Sequence, residues 1–413
     1  MYRRKILIVA STTGYQTSRF AEAARRLGVE STLATDRCHV LDDPWGDRAL
    51  PVRFEAPEES VAMLGPSLGV DGIVAVGDRP AYLASRIAER FGLPFHPSES
   101  MAAARNKFLA RERFRVGGLP VPVFRRVPLD VAPAEAAAST EYPCVLKPLG
   151  LSASRGVIRA NDPGEFVAAF DRIRAILQSP EIERLHDEVD RFIQVERYIP
   201  GREFAVEGLM TRGKLRVLAV FDKPDPLEGP YFEETIYVTP SREPAARVEA
   251  IHRAAERAAA ALGLRHGPVH AEMRVNEEGV WMLEVAGRPI GGLCAKALRF
   301  QGGMPLEELI VRHALGENVS NIRLENGAAG VMMIPIPRGG VYRTARGLVK
   351  AEAVLGIEEV TITAKEGQLL RPLPEGQSYL GFLFARGQRP EAVEDALREA
   401  HRRLDFEIAT SLL

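Results

Sequence analysis

Two glutamates that face each other across a predicted β-hairpin constrain this chain more than any other feature. Between Glu272 and Glu284 lie a strand-like run, a turn at residues 276–279, and a second strand-like run over residues 280–285. Turn formers between two such runs are typical of a hairpin. Side chains alternate faces along a strand, so two carboxylates at facing positions converge on one side.

The two facing carboxylates favour a binding site for a divalent metal, and a nearby arginine favours a phosphate. Two neighbouring carboxylates repel each other and shift each other's pKa, and a divalent cation removes that cost. Magnesium takes one or two carboxylates and completes its shell with phosphate oxygens and water. Arg288 lies four positions beyond Glu284, and its planar guanidinium suits a phosphate or a carboxylate. Together these groups indicate chemistry driven by ATP.

The composition argues against several classes of protein. The 413 residues predict two or three domains. The 54 basic and 55 acidic residues give a formal net charge of −1, which offers no general attraction to nucleic acid or membranes. The three cysteines form no CxxC pair, which favours a reducing cytoplasm over a zinc ribbon or a disulfide framework. The first apolar run, residues 6–10, is shorter than the about 7–15 residues of a signal-peptide core, so we expect a cytoplasmic protein.

The first hundred residues alternate short apolar runs with helical patterns. Strands are predicted over residues 6–10, 30–34 and 71–76, and helices over residues 18–27 and 80–91. This alternation predicts a parallel, doubly wound α/β sheet. The loop Ser11-Thr12-Thr13-Gly14 after the first strand could hold an anion, but one glycine of a GxGxxG pattern does not predict a dinucleotide site.

Two lysines and a loop of small residues follow. Lys107 lies at a helix start, and Lys147 ends an apolar strand, where an unpartnered lysine is unusual. Residues 151–157 then offer hydroxyls and backbone N–H groups that can hold phosphate oxygens, although the GxxxxGK[ST] spacing of a Walker A loop is absent. Taken alone, Lys107 is typical of a solvated helical lysine, and residues 151–157 could equally form an ordinary turn between strands.

These motifs resemble the ATP-grasp enzymes and, among them, the L-amino acid ligases. The family signature is a Glu followed about a dozen residues later by Glu-x-Asn-x-Arg; here Glu272 is followed by Glu284-Val285-Ala286-Gly287-Arg288, with Ala286 in place of the Asn. The resemblance implies an ATP-grasp fold of the α/β (α+β) class. It divides the chain into an N-terminal α/β domain (residues 1–100), an ATP-grasp domain (101–320, with a lid at about 130–198) and a small C-terminal α+β domain (321–413).

The resemblance also implies roles for individual residues. Glu272 and Glu284 would hold the metal, Arg288 and Lys147 would act on the reacting groups, and His270 would lie near the acceptor. The residues expected to contact ATP are Lys107, Lys147, Ser152, Ser154, Arg155, Gly156, Val157, Glu196, Tyr198, Ile199 and Glu203. In this scheme the hinge around Glu196 holds adenine, and the Glu203 carboxylate accepts hydrogen bonds from the ribose.

The remaining segments predict structure or substrate contacts. Glu233 or Glu234, in a loop rich in turn formers, is a candidate partner for a substrate ammonium. The chain after Gly292 is predicted helical through Leu315, followed by strands over residues 328–335, 360–363 and 379–385 and a helix over 390–404. Because no bulky side chain follows Arg288 at residues 291 and 292, we expect tolerance of a large first substrate.

The function expected from the resemblance is an ATP-dependent carboxylate–amine ligase that joins two L-amino acids through an acyl phosphate. It would use ATP and Mg²⁺, with Mn²⁺ as a substitute, and small-molecule carboxylate and amine substrates. Neither nucleic acid nor a membrane is an expected partner, and a homodimer is common for this resemblance. Three alternatives stay open: a biotin-carboxylase-like enzyme, a purine-pathway ligase, and an ATP-binding sensor whose metal site is weakened by Ala286.

Overall fold

The computed structural model describes residues 3–11, 16–36, 49–65 and 68–410. The predicted anion loop at residues 11–14 therefore lies outside the described residues, except for Ser11. Within the described ranges, no helix is long and apolar enough to cross a membrane.

A parallel four-stranded sheet forms the N-terminal part, in the order β3-β2-β1-β4. Its elements are β1 (Lys5–Ala10), α1 (Thr17–Arg26), β2 (Glu30–Thr35), β3 (Ala49–Pro51), α2 (Pro57–Met63), β4 (Gly72–Val76) and α3 (Asp78–Phe91). Leu7 and Val9 pack with the cluster around α3, whereas Ile6 and Ile8 pack with the cluster around α1. Both faces of the sheet are covered, as parallel sheets require, so the doubly wound prediction is confirmed.

A second four-stranded sheet has its own core and falls mostly within the region predicted to be the lid, so we call this part of the chain the lid. Two helices precede it, α4 (Ser98–Ala104) and α5 (Lys107–Val116), and its elements are β5 (Phe124–Pro128), α6 (Pro133–Ala138), β6 (Cys144–Pro148), β7 (Ile158–Ala160), α7 (Pro163–Leu177), α8 (Pro180–Glu183) and β8 (Phe192–Arg197). The helix α7 begins after Asp162, whose side chain accepts from the Glu165 N–H at 2.9 Å. Its buried face, with Phe166 and Phe170, closes the lid core.

An antiparallel sheet of eight strands carries the body of the protein, in the order β13-β12-β9-β10-β11-β16-β20-β18. The elements before residue 320 are β9 (Arg202–Thr211), β10 (Lys214–Asp222), β11 (Ile236–Thr239), α9 (Ala245–Leu262), β12 (Gly267–Asn276), β13 (Gly279–Ala286), β14 (Arg299–Phe300), β15 (Met304–Pro305) and α10 (Leu306–Ala314). The helix α9 buries an alanine-rich face that includes Ile251 and Leu262, and this face joins the core below the sheet.

The C-terminal strands extend this same sheet rather than forming a separate one. The elements are β16 (Ala328–Ile334), β17 (Gly340–Arg346), α11 (Leu348–Glu352), β18 (Ile357–Ile362), β19 (Leu369–Leu370), β20 (Gly381–Gly387), α12 (Pro390–Arg402) and β21 (Asp405–Ala409). A second small sheet has the order β19-β17-β21. The sequence interpretation found β16, β18 and β20 but missed β17 and β21, and the domain boundaries stay predictions.

The predicted hairpin is confirmed. In the pairing of β12 with β13, Glu272 and Glu284 are direct partners. The register shifts immediately after this pair, so that Met273 pairs with Met282 and Leu283 is left as the extra residue of a bulge. A bulge locally bends a strand and re-aims side chains, and it often lies beside functional sites.

The expected helix from Gly292 to Leu315 is wrong in its first half. Only a short 3-10 turn, Cys294–Ala297, precedes β14 and β15, and the α-helix begins at Leu306. Gly302 and Gly303 have φ angles of +78° and +73°. That left-handed backbone turns the chain between the two short strands and is incompatible with a helix interior.

Candidate active site

A cavity of about 630 Å³ opens between the lid, the central sheet and the N-terminal sheet. Most of the side chains that the sequence singled out line it. Those that do are Lys107, Lys147, Ser152, Ser154, Val157, Glu196, Tyr198, Ile199, Glu203, His270, Glu272, Glu284 and Arg288. Residues separated by up to 181 positions in the chain therefore meet in one space.

Two of the residues expected to contact ATP do not line the cavity. The buried guanidinium of Arg155 forms an ion pair with Glu181 of the lid helix α8. Gly156 has a φ angle of +72°, and a Cβ at this position would lie 2.7 Å from Pro148. Gly156 therefore shapes the loop instead of presenting a side chain, and its N–H donates to the Pro374 carbonyl at 2.9 Å.

The loop between Leu151 and Val157 has an unusual backbone. Ala153 and Ser154 are consecutive non-glycine residues with φ angles of 55° and 54°. Each such residue costs about 1–3 kcal/mol, and such residues cluster at ligand clamps and switch regions. The backbone therefore supports the prediction of a phosphate loop, although Ser152 and Ser154, not glycines, face the cavity.

A buried ionic network lies at the hinge end of the cavity, which we define as the region around β8 and Lys147. Glu196 accepts from Lys147 and is chelated by Arg111, with Nε at 3.0 Å and Nη2 at 3.1 Å. Gln194 also donates to it, at 2.8 Å. Burial would raise the pKa of Glu196, but Arg111 and Lys147 outweigh it and lower the pKa to about 2. Glu196 is therefore an anion whenever the protein is folded near neutral pH.

Arg111 also connects the helix α5 to the hairpin of β12 and β13. Its side chain is 1% exposed, and Nη1 donates to the Met282 carbonyl at 2.6 Å and the Leu283 carbonyl at 3.1 Å. These two carbonyls flank the β-bulge beside Glu284. One arginine thus links the hinge glutamate to the strand that carries a predicted metal ligand.

A second buried network surrounds Lys223, immediately after β10. Its ammonium donates to Glu203 at 2.8 Å and to Glu234, and lies 3.5 Å from Glu272. Burial would lower the pKa of Lys223, but these three carboxylates raise it well above its ordinary value. Arg274 donates to the second oxygen of Glu203 at 3.1 Å. Three acids and two bases therefore compensate one another, and all of them except Lys223 line the cavity.

The hairpin carboxylates each have a cation beside them. Lys107 Nζ lies 3.4 Å from Glu284 and donates to the Leu151 carbonyl at 2.6 Å, so it also anchors the loop at residues 151–157. His270 lies between Glu207, at 3.2 Å, and Glu272, at 3.3 Å. Burial would lower the pKa of His270, but the two carboxylates raise it to about 9. The imidazole is therefore protonated at neutral pH and holds Glu272 in place.

The donor set fits a hard divalent cation. Carboxylate oxygens of Glu203, Glu234 and Glu272 lie within 4.8 Å of one another. Because Lys223 already lies among these three, the better position for a metal is the other side of Glu272, where Glu284 is its cross-strand partner. Burial would raise the pKa of Glu272, but Lys223 and His270 lower it, so the ligand is ionised. Oxygen-only coordination of this kind suits Mg²⁺.

Arg288 is held by the N-terminal sheet. Its Nε and Nη2 donate to Asp78, at 2.7 and 3.2 Å. Asp78 begins α3 directly after the carboxyl end of β4, where ligands bind in parallel sheets. Burial would raise the pKa of Asp78, but Arg288 lowers it, so the pair is ionic. Asp78 lines the cavity and brings a third part of the chain into the site.

Sequence reasoning missed Arg111, Lys223 and Asp78. Lys223 carries the same signal as Lys147, a lysine at the end of an apolar strand, and was open to the same inference. Asp78 follows a predicted parallel strand and was also detectable. Arg111 lies within a helix that includes three other arginines and lysines, and nothing in the sequence marks it as the buried one. Of the two candidates for an ammonium partner, Glu234 lines the cavity.

Two protein-family models match the chain. The ATP-grasp domain matches residues 140–297, and the L-amino acid ligase C-terminal domain 2 matches residues 332–409. The crystal structure of an L-amino acid ligase from Bacillus licheniformis superposes with a TM-score of 0.84 at 26% sequence identity, over 99% of this chain and 100% of that one.

Two relatives agree with these matches. A D-alanine–D-alanine ligase from Gloeobacter violaceus is 30% identical, over 54% of this chain and 72% of its own length. An alanine–anticapsin ligase from Bacillus subtilis is 25% identical, over 61% of this chain and 56% of its own length. The chain therefore belongs to the ATP-grasp superfamily and is an ATP-dependent ligase. Within that class its likeness is to the L-amino acid ligases, which confirms the family expected from the sequence.

Proposed function

We propose that this enzyme joins the carboxyl group of one L-amino acid to the amino group of another while converting ATP to ADP and phosphate. The observation that carries the proposal is the convergence of two facing carboxylates and three cations in a single cavity. These three, among the cationic side chains that line the cavity, are Lys107, Lys147 and Arg288. Such a set neutralises a transferring phosphoryl group and anchors a carboxylate, which are the two requirements of carboxylate activation.

The hinge end of the cavity is the proposed nucleotide site. Tyr198 and Ile199 line it with an aromatic and an aliphatic surface, which suits the face of an adenine ring. Glu203 offers carboxylate oxygens to the ribose hydroxyls. Lys107, Lys147 and the loop at residues 151–157 would hold the phosphate oxygens.

Magnesium, when bound at Glu272 and Glu284, supplies positive charge to the phosphate oxygens. The chain keeps both ligands ionised and directed into the cavity, through His270 and Lys223 on Glu272 and through Lys107 on Glu284. His270 is therefore proposed to position a ligand. Its protonated state makes it unsuited to act as a general base.

In the proposed reaction an oxygen of the substrate carboxylate attacks the terminal phosphorus of ATP, and the bond to ADP breaks. The acyl phosphate that results is attacked at carbon by the second substrate's neutral amine; the bond to phosphate breaks, and the departing phosphate takes the proton that the nitrogen loses. Arg288 would stabilise the negative oxygens that develop at this carbon. Glu234 and Asp78 offer carboxylates to substrate ammonium groups, and the lid excludes water that would hydrolyse the acyl phosphate.

Release of ADP and phosphate across a matrix of paired L-amino acids tests the proposal, with mass spectrometry for the condensed product. The expected result is release that depends on a particular pair and a product mass equal to the two amino acids minus one water. Release only with bicarbonate and biotin would instead assign a carboxylase. Nucleotide binding without release for any carboxylate would favour a sensor.

A further inference from the structure

The end of the cavity opposite the hinge is built by segments far apart in the sequence. We call it the far wall and define it by Gly291, Cys294, Met333, Gln368, Gln377 and Tyr379. In the part of the chain that the structure describes, every cavity-lining residue from Pro289 onward is formally uncharged. The far wall thus differs in kind from the hinge end, where most of the polar groups are ionic.

The two ionisable groups of the far wall are neutral. Burial raises the pKa of the Cys294 thiol and of the Tyr379 phenol well above their ordinary values, and Glu234 adds to both effects. The cations on the adjoining elements already have anionic partners. Arg288 pairs with Asp78 and Lys223 pairs with Glu234. An acidic side chain placed against the far wall would therefore meet the charge of Glu234, and no residue of the wall itself carries a cation.

The far wall does offer hydrogen bonds. The Gln377 amide and the Tyr379 phenol have no hydrogen-bond partner within the described ranges, and Gln377 is exposed toward the cavity. Met333 and Cys294 together contribute polarisable, apolar surface to the far wall. An uncharged side chain gains contacts here without the desolvation cost of a buried charge.

The segment that carries Gln377 and Tyr379 is fixed against the lid. The Pro374 carbonyl accepts from the Gly156 N–H at 2.9 Å, and the Glu375 carboxylate chelates Arg172 of α7. Gln377 follows two residues after Glu375. The far wall is therefore placed over the cavity by the same lid that covers the proposed phosphate loop.

From this geometry we infer that the far wall binds the side chain of one of the two amino acids and selects an uncharged side chain over an acidic one of the same shape. The inference rests on the proposed ligase function and adds its substrate class. Gln377 and Tyr379 are the specificity-determining residues, because Gln377 offers a whole amide and Tyr379 a hydroxyl, whereas the Gln368 side-chain oxygen already accepts from the Lys365 N–H.

The test compares glutamine with glutamate, and asparagine with aspartate, at each of the two substrate positions. The wild-type enzyme is expected to prefer the amide over the acid by about 100-fold in kcat/KM at one position. Gln377→Lys, an exposed substitution, should improve the acid relative to the amide by at least about tenfold because it adds the missing cation. Gln377→Met is the matched control and should weaken glutamine relative to leucine without improving glutamate.

Equal use of amide and acid at both positions would overturn the inference, as would a Gln377→Lys enzyme whose preference does not move. Failure of the proposed function looks different, because then no amino acid pair releases ADP from any variant. Thermal unfolding of each variant separates these outcomes from a loss of fold.

Discussion

At the hinge end of the cavity, Glu196 is 3% exposed and bound by Lys147, Arg111 and Gln194, so its charge is paired before any ligand arrives. At the far wall, Gln377 is exposed and Tyr379 is only partly buried, and neither the Gln377 amide nor the Tyr379 hydroxyl has a hydrogen-bond partner among the described residues. The hinge end lies on strands and a helix, whereas Gln368, Gln377 and Tyr379 of the far wall lie on loops of the C-terminal region.

The two ends are proposed to have different tasks. The hinge end binds the same nucleotide in every reaction, and the far wall binds a side chain that differs between substrates. Holding the same nucleotide in every reaction cycle favours rigid, pre-paired charges, because preorganised dipoles need no rearrangement at the moment of reaction. Recognising a particular side chain is better served by neutral groups on loops, which tolerate substitution without unbalancing a buried network. Substitutions at the two ends should therefore differ in the size and the kind of their effects.

The largest effect on stability is expected from Arg111→Met. Removing one member of a buried ionic network costs about 3–5 kcal/mol, because Glu196 keeps its charge but loses two hydrogen bonds. Denaturant unfolding measures this loss. Arg115→Met, at an exposed position of the same helix, is the control and should leave the unfolding midpoint nearly unchanged. A loss below 1 kcal/mol for Arg111→Met would mean that the network is not the rigid element described.

Glu272→Gln should reduce amide formation by about 10²- to 10³-fold, because the neutral amide removes a charged metal ligand and the partner of His270. The apparent affinity for Mg²⁺ should fall in parallel, and a magnesium titration of ADP release measures both. Glu277→Gln, at an exposed position of the hairpin turn, controls for the change of one charge. Activity of Glu272→Gln within a few-fold of the wild type would place the metal elsewhere.

The sequence alone predicted the hairpin and the parallel N-terminal sheet, because both follow from local periodicity. It also pointed to Lys147, since a lysine at the end of a buried strand needs a partner. The sequence could not identify Arg111 as a buried residue, because its side chain becomes buried only through contacts with Glu196 and with a strand 171 positions away. The C-terminal loop that completes the far wall was missed for the same reason.

The segment after Gly292, which was wrongly predicted to be helical, shows a second limit of prediction from the sequence. Residues 293–305 contain apolar residues at helical spacing, but paired glycines at 302 and 303 and the packing of β14 on β15 decide the outcome. Local pattern predicts which segments are buried more securely than it predicts their conformation, because tertiary packing overrides weak propensities.

At the far wall a substitution should alter substrate choice rather than stability. Gly291 has no left-handed backbone, and a Cβ there would meet nothing within 4 Å, whereas a Cβ at Gly292 would lie 3.0 Å from the Phe382 ring. Gly291→Leu should therefore lower kcat/KM for bulky amino acids by about 10-fold or more while sparing alanine. Gly291→Ala is the matched control. An equal loss for small and bulky substrates would show that this position does not border the side-chain pocket.

The smallest effect is expected at Asp190, a buried charge without a close partner at the base of the lid. Neither carboxylate oxygen has a hydrogen-bond partner among the described residues, and burial raises its pKa to about 6. Above pH 6 the folded protein holds an unfavourable anion, so Asp190→Asn should raise Tm by about 1–2 °C. As pH falls from 6 to 4, the folded carboxyl binds a proton before the unfolded one does, and the advantage of Asn should vanish. Glu188→Gln, exposed in the same turn, should show no such pH dependence, and a gain for Asp190→Asn that persists at pH 4 would contradict this account.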